Sequence, residues 1–134
     1  MNYGSGVEKW VSKAHARKEL DRVDGCFEGV NPVCGDSLRF EVKITEGRIT
    51  GLRWKGYGCP PTLAAAEIIT TLAEEKKITE LSDITFERIF SELPNLPETS
   101  RHAVELALEV FQKAIGNILE GRHCAVTKNL GKLQ

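Results

Sequence analysis

From Leu38 to Thr45 the chain alternates without a break, with Leu38, Phe40, Val42 and Ile44 set against Arg39, Glu41, Lys43 and Thr45. A period of two belongs to a strand with one buried face and one wet face. Glu46-Gly47 supplies a turn, and the return strand over about 48–56 carries Ile49, Leu52 and Trp54. The phase of these residues slips at Gly51, which reads as a bulge. Upstream, Asp24-Gly25 is a break, and Cys26 to Val30 is a further short strand. Three antiparallel strands result, with an apolar face that needs a cover.

Helical spacing supplies that cover. Val7, Trp10, Val11 and Ala14 predict an amphipathic helix over roughly 6–20. Pro60-Pro61 suits a first helical turn, where missing N–H groups cost nothing. Leu63 to Lys77 continues it, with Ala64–Ala66, Ile68, Ile69 and Leu72 as the apolar positions. Thr79 to Leu93 is a shorter helical region, interrupted near Ser82-Asp83, where Asp83 can cap. Pro94 and Pro97 mark a loop, after which Thr99 or Ser100 caps a long helix to about Glu120, closed by Gly121. Arg122 to Gln134 reads as a frayed tail. The expected fold is α+β, a three-stranded antiparallel sheet covered by helices, with an N-terminal helix and a long C-terminal helix. Residues 1–134 are expected to form a single domain, with about 122–134 as a flexible tail.

Composition narrows the functional classes. A net charge of −1 gives no bulk attraction for nucleic acid or an anionic membrane. No apolar run approaches the ~20 residues needed to span a bilayer, and Met1 to Gly6 lacks a signal-peptide pattern. A cytoplasmic location is therefore expected. In that compartment the four cysteines (Cys26, Cys34, Cys59, Cys124) are more readily ligands or nucleophiles than disulfides. No CxxC pair is present, so any metal site has to be assembled by the fold.

Two loops carry the candidate chemistry: Asn31-Pro32-Val33-Cys34-Gly35-Asp36 and Gly56-Tyr57-Gly58-Cys59-Pro60-Pro61. They lie at the outer ends of the predicted hairpin, so Cys34 and Cys59 can meet. Cys59 directly precedes a helix start, where the dipole and unpaired N–H groups should lower a thiol pKa. Gly35 and Gly58 let backbone approach a bound group closely. The plain alternative is that both thiols are small buried hydrophobes. Taken alone, Asp36 reads first as a turn residue bonding its own loop and second as a ligand. His102, in the first turn of the last helix, is a surface residue or a further ligand. His15 and His123 sit in basic, polar surroundings. Cys26 is expected to be packed. A helix of ~20 residues spans about 30 Å, which sets Cys124 far from the loops unless a folded-back tail or partner subunit brings it in.

Asn-Pro-x-Cys-Gly-Asp followed by Gly-x-Gly-Cys resembles the IscU/NifU-type iron–sulfur cluster assembly scaffold family, over about Gly25 to Ile115. The resemblance implies three antiparallel strands packed against helices. It also implies a scaffold or carrier, not a catalyst, that receives sulfur from a cysteine desulfurase and binds iron. Such a scaffold builds a [2Fe–2S] cluster and passes it to acceptor apo-proteins, and many members bind zinc in the same place. By position, the implied ligands are Cys34, Asp36, Cys59 and His102. The family's third cysteine follows the histidine, and here that pair reads His102-Ala103. The chaperone-recognition loop, Leu-Pro-Pro-Val-Lys in the family, reads Leu96-Pro97-Glu98-Thr99-Ser100, so docking of the dedicated Hsp70 is not expected. The spacing from Cys59 to Ala103 resembles Isc-type members.

Two sulfurs, an oxygen and a nitrogen can hold zinc tetrahedrally, and histidine ligation of a cluster iron has precedent in Rieske centres. Three readings follow: a cluster scaffold, a degenerate zinc-binding relative with a structural or regulatory role, and a persulfide acceptor for a desulfurase. No nucleophile–base pair, phosphate loop or dinucleotide fingerprint points to an independent enzyme.

Overall fold

The computed structural model describes residue 3, residues 5–13, 19–31 and 35–121, and the backbone of 124–127. His15, Cys34 and His123 lie outside the described residues. The elements are α1 (Ser5–Lys13), β1 (Gly25–Val30), β2 (Ser37–Thr45), β3 (Arg48–Tyr57), α2 (Pro60–Ala73), α3 (Phe86–Phe90), α4 (Arg101–Leu119) and β4 (Cys124–Thr127).

The alternating segment is the middle of the sheet. β2 pairs antiparallel with β1 on one side and β3 on the other, so that Phe27 faces Phe40 and Phe40 faces Trp54. Between β2 and β3 the register shifts. Lys43 pairs with Gly51 but Ile44 pairs with Ile49, so Thr50 is the extra residue of the bulge expected there. The shift lets Ile49 and Leu52 both be buried although three positions separate them.

The sheet has a fourth strand that the alternation did not announce. β4 pairs parallel with β1, Cys26 opposite Cys124, giving the order β3-β2-β1-β4. A four-residue edge strand carries too little pattern of its own to be read as one, and it forms by pairing along the edge of β1. Cys26 is fully buried, as expected of a packed residue, but its sulfur is disulfide-bonded instead of a free thiol.

Leu38, Phe40 and Val42 form the apolar face, and α2 and α4 cover it. α2 is buried on almost every side: Ala64, Ala65, Ala66, Ile68 and Ile69 have no exposed surface. It lies between the sheet and α1, whose Val7 and Trp10 close the core from outside. A helix apolar all round belongs in such a middle layer. Its one buried carboxylate, Glu67, accepts a hydrogen bond from the Trp54 indole at 2.9 Å. On the opposite face of the sheet, Glu41 accepts from Arg39 at 2.8 Å and has Lys55 at 3.8 Å.

The segment after α2 departs from the expected cap. Residues Ile78–Asp83 form 3-10 turns, and Thr85, not Asp83, caps α3 by accepting from the Arg88 N–H at 3.2 Å. Phe86 and Phe90 then stack with ring centroids 5.5 Å apart. The Arg101 guanidinium lies 4.6 Å from the Phe86 centroid and 5.5 Å from that of Phe90. This cation–π contact pins the first residue of α4 to α3. Ser100 is the N-cap residue of α4, without a side-chain capping bond. Gly121 follows the helix at φ +75°.

Phe40 has no exposed surface and meets Phe111 of α4 edge-on, centroids 5.5 Å apart. Phe40→Ala is expected to lower the unfolding free energy by about 3–5 kcal/mol, measured as a fall in the urea midpoint at unchanged slope.

Candidate functional site

Three elements deliver their ends to one place. The β1–β2 loop closes on itself through Asn31 N–H to Asp36 O and Gly35 N–H to Asn31 O, both 2.8 Å. Gly35 sits at φ +79°, a left-handed backbone that favours glycine. This turn aims Asp36 across the sheet end at the start of α2, where β3 has just delivered Gly58 and Cys59.

Cys59 is the N-cap residue of α2 and has an extended backbone, and its side chain caps nothing. The missing cap comes from Asp36. Its Oδ1 accepts the Cys59 N–H at 3.2 Å, and its Oδ2 accepts the Thr62 hydroxyl at 2.8 Å and the Cys59 thiol at 3.1 Å. Cys59 Sγ and Thr62 Oγ1 are themselves 3.3 Å apart. A buried carboxylate needs such partners, and Asp36 is 4% exposed. Of the two readings the sequence left open for Asp36, the carboxylate reaches beyond its own turn to a neighbouring element.

Gly58 makes that reach possible. A Cβ at this position would stand 2.5 Å from the Asp36 carboxyl carbon. Any side chain there would push the carboxylate off α2.

His102 comes from the first turn of α4. Its Nδ1 lies 3.0 Å from the Thr99 carbonyl oxygen. A carbonyl only accepts, so Nδ1 is the donor in this contact and Nε2 is the ring nitrogen left for another partner. Metal-binding histidines are commonly oriented in this way. Ligand atoms of Asp36, Cys59 and His102 all lie within 4.8 Å of one another. Asp36 is the buried member and His102 the one most open to solvent. The structure thus brings together three of the four expected site residues, and Cys34 lies outside the described residues. Ala103, beside His102, is fully buried.

One expectation is reversed. Burial pushes the Cys59 thiol above its ordinary value, with Asp36 adding to the rise and the hydrogen bonds from Thr62 opposing it. The helix terminus was expected to lower it, but loss of water outweighs the dipole because the thiol is tucked against a carboxylate. Sequence reasoning also passed over Thr62. Its available signal was a hydroxyl residue three positions after a helix-capping cysteine, which places both on one side of the first turn.

The arrangement offers oxygen, sulfur and nitrogen donors on rigid element ends, which suits a borderline metal ion such as zinc or iron. Residues 12–125 match the family described as NifU-like N terminal domain. A curated relative, iron-sulfur cluster assembly scaffold protein IscU 1 of Archaeoglobus fulgidus, is 28% identical over 123 residues, covering 87% of this chain and 80% of the relative. The Aquifex aeolicus scaffold protein IscU is 31% identical over 102 residues, covering 75% and 65%. Among solved structures, the N-terminal nitrogen-fixing NifU-like protein of Brucella abortus superposes with a TM-score of 0.70 at 15% identity, covering 88% of this chain and 94% of its own. This chain belongs to the NifU-like N-terminal domain family, and its α+β fold is the one expected from that resemblance. Among the described residues no helix is long and apolar enough to cross a membrane.

The raised Cys59 pKa has a kinetic signature. Alkylation requires the thiolate, so the rate at Cys59 should rise with an inflection above that of a free cysteine. Its unfolded-state pKa is the lower one, so proton release favours the unfolded chain. The contribution of Cys59 to stability should therefore be present below the unfolded thiol's pKa and be lost as pH rises toward the folded value. Mass-spectrometric alkylation rates against pH, in the folded and urea-unfolded chain, check both the direction and its origin in burial.

Proposed function

We propose that this protein is an iron–sulfur cluster assembly scaffold or carrier, which holds iron and a [2Fe–2S] cluster as cargo at Cys34, Asp36, Cys59 and His102. The observation that carries this reading is the convergence of Asp36, Cys59 and His102 from three separate elements. The curated relatives' names point the same way. Cys34 directly precedes Gly35 and Asp36 in the sequence, and in this reading it is the fourth donor.

Each residue has a role in this reading. Cys59 and Cys34 supply thiolates to the cargo, Asp36 an oxygen, and His102 its Nε2. The donor set lacks a third thiolate where the resemblance puts one, because that position is Ala103. Mixed oxygen and nitrogen ligation should hold the cluster less firmly than four thiolates would, as befits cargo meant for transfer. The protein acts without catalysing a reaction of its own. A cysteine desulfurase supplies the sulfur and apo-proteins accept the product, in the cytoplasm.

A second reading rests on the donor chemistry. One sulfur, one oxygen and one nitrogen within 4.8 Å also suit zinc, which would make the chain a metal-binding relative that builds no cluster.

The deciding experiment is iron, zinc and acid-labile sulfide analysis of protein purified without oxygen and then reconstituted with iron and sulfide. Equal iron and sulfide with a brown colour is expected, and Cys59→Ser should abolish both. Colourless protein that retains one zinc through reconstitution would establish the second reading. Protein that holds neither metal nor sulfide would overturn both.

A further inference from the structure

Thr62 is fully buried in the first turn of α2, and its hydroxyl is committed in an unusual direction. A buried helical threonine ordinarily satisfies its hydroxyl on the carbonyl one turn back. Thr70 of the same helix does so, donating to Ala66 O at 2.9 Å. Thr62 has its backbone N–H on Cys59 O at 3.0 Å. Its hydroxyl instead donates to Asp36 Oδ2 at 2.8 Å and stands 3.3 Å from Cys59 Sγ. With the 3.1 Å thiol–carboxylate contact, the three atoms close a triangle.

We propose that Thr62 is a positioning residue for metal at this site, holding the Asp36 carboxylate and the Cys59 sulfur in the arrangement that a metal ion meets. The inference rests on the metal-binding reading above. A hydroxyl has one proton and two lone pairs, so it can serve both neighbours in turn. With the site empty, the Thr62 hydroxyl and the Cys59 thiol both donate to Oδ2. Once Cys59 binds a metal as thiolate, its own donor is gone. The Thr62 proton is then the group on hand to keep Oδ2 or the sulfur satisfied, and it fixes which carboxylate oxygen turns to the metal. Partners of this kind, one step removed from the metal, commonly carry about 10–100-fold of its affinity.

Anaerobic Co²⁺ titration of the full chain tests this, because thiolate-bound Co²⁺ shows a sulfur-to-metal charge-transfer band. Thr62→Val keeps the side-chain shape and removes the hydroxyl, Thr62→Ser keeps the hydroxyl, and Thr70→Val removes an equally buried hydroxyl elsewhere on α2. Thr62→Val should weaken Co²⁺ binding by about 10-fold or more and move the band to longer wavelength, since the thiolate loses a donor. Thr62→Ser should restore both. Thr70→Val should change the melting temperature while leaving affinity and band at their wild-type values. Wild-type affinity and an unshifted band in Thr62→Val, whatever its melting temperature, would overturn the proposal. A wild-type chain that takes up no Co²⁺ would remove the metal-site reading itself, and the two failures are thereby told apart.

Discussion

The apolar face of β2 is the constraint from which the architecture follows. Leu38, Phe40 and Val42 are almost wholly removed from water, and each fully buried side chain of this size is worth about 1.5–3 kcal/mol. Burying them takes two helices, α2 and α4, because one helix is too narrow for three strands spaced ~4.8 Å apart. β3 runs to the sheet end at Tyr57 and α2 must start there, with only Gly58 and Cys59 between them. The cation–π contact of Arg101 fixes the start of α4 against α3. The same sheet end therefore collects the β1–β2 loop, a cysteine at a helix start and a histidine at a second helix start. The site is a by-product of how the core is closed.

Within that site Asp36 does two jobs that pull against each other. It ties the β1–β2 loop to α2 through Cys59 and Thr62, and it is the oxygen donor of the proposed metal site. Without metal its oxygens are occupied by protein donors, so the empty site leaves no buried carboxylate bare. Metal held at Cys59 would have to take the place of the contact between Sγ and Oδ2. The helix-capping bond from the Cys59 N–H to Oδ1 and the Thr62 bond to Oδ2 stand in the way of a carboxylate that binds through both oxygens.

Much of this was legible in the chain before folding. Strict alternation from Leu38 to Thr45 forced a strand, and the slip at Gly51 marked the bulge because a core face cannot change sides without an extra residue. The paired loops marked Asp36 and Cys59, and the first turn of the last helix marked His102. What escaped was set by tertiary context. β4 exists through the free edge of β1, which no local pattern encodes. The direction of the Cys59 shift depended on how much water the carboxylate and first turn exclude, whereas the sequence showed only the helix terminus. Thr85 displaced Asp83 as a cap because 3-10 turns carry the chain past Asp83 before α3 begins. Thr62 looked like an ordinary helix residue, since nothing in its neighbours says that an aspartate 26 positions earlier will lie 2.8 Å away.

The order of burial across the site bears on how cargo would come and go. Asp36 is enclosed, Cys59 half-enclosed and His102 open to solvent. In the proposed role, an arriving metal ion would meet the imidazole first, since His102 is the most open of the three and its Nδ1 is held by the Thr99 carbonyl. It would then meet the thiol, and last the carboxylate, which would give up only its contact with the Cys59 thiol. On departure the contact between the Cys59 thiol and Asp36 would re-form beside the Thr62 bond and offset part of the loss of ligation. A site that satisfies itself when empty could surrender its contents without unfolding, as the proposed scaffold role would require.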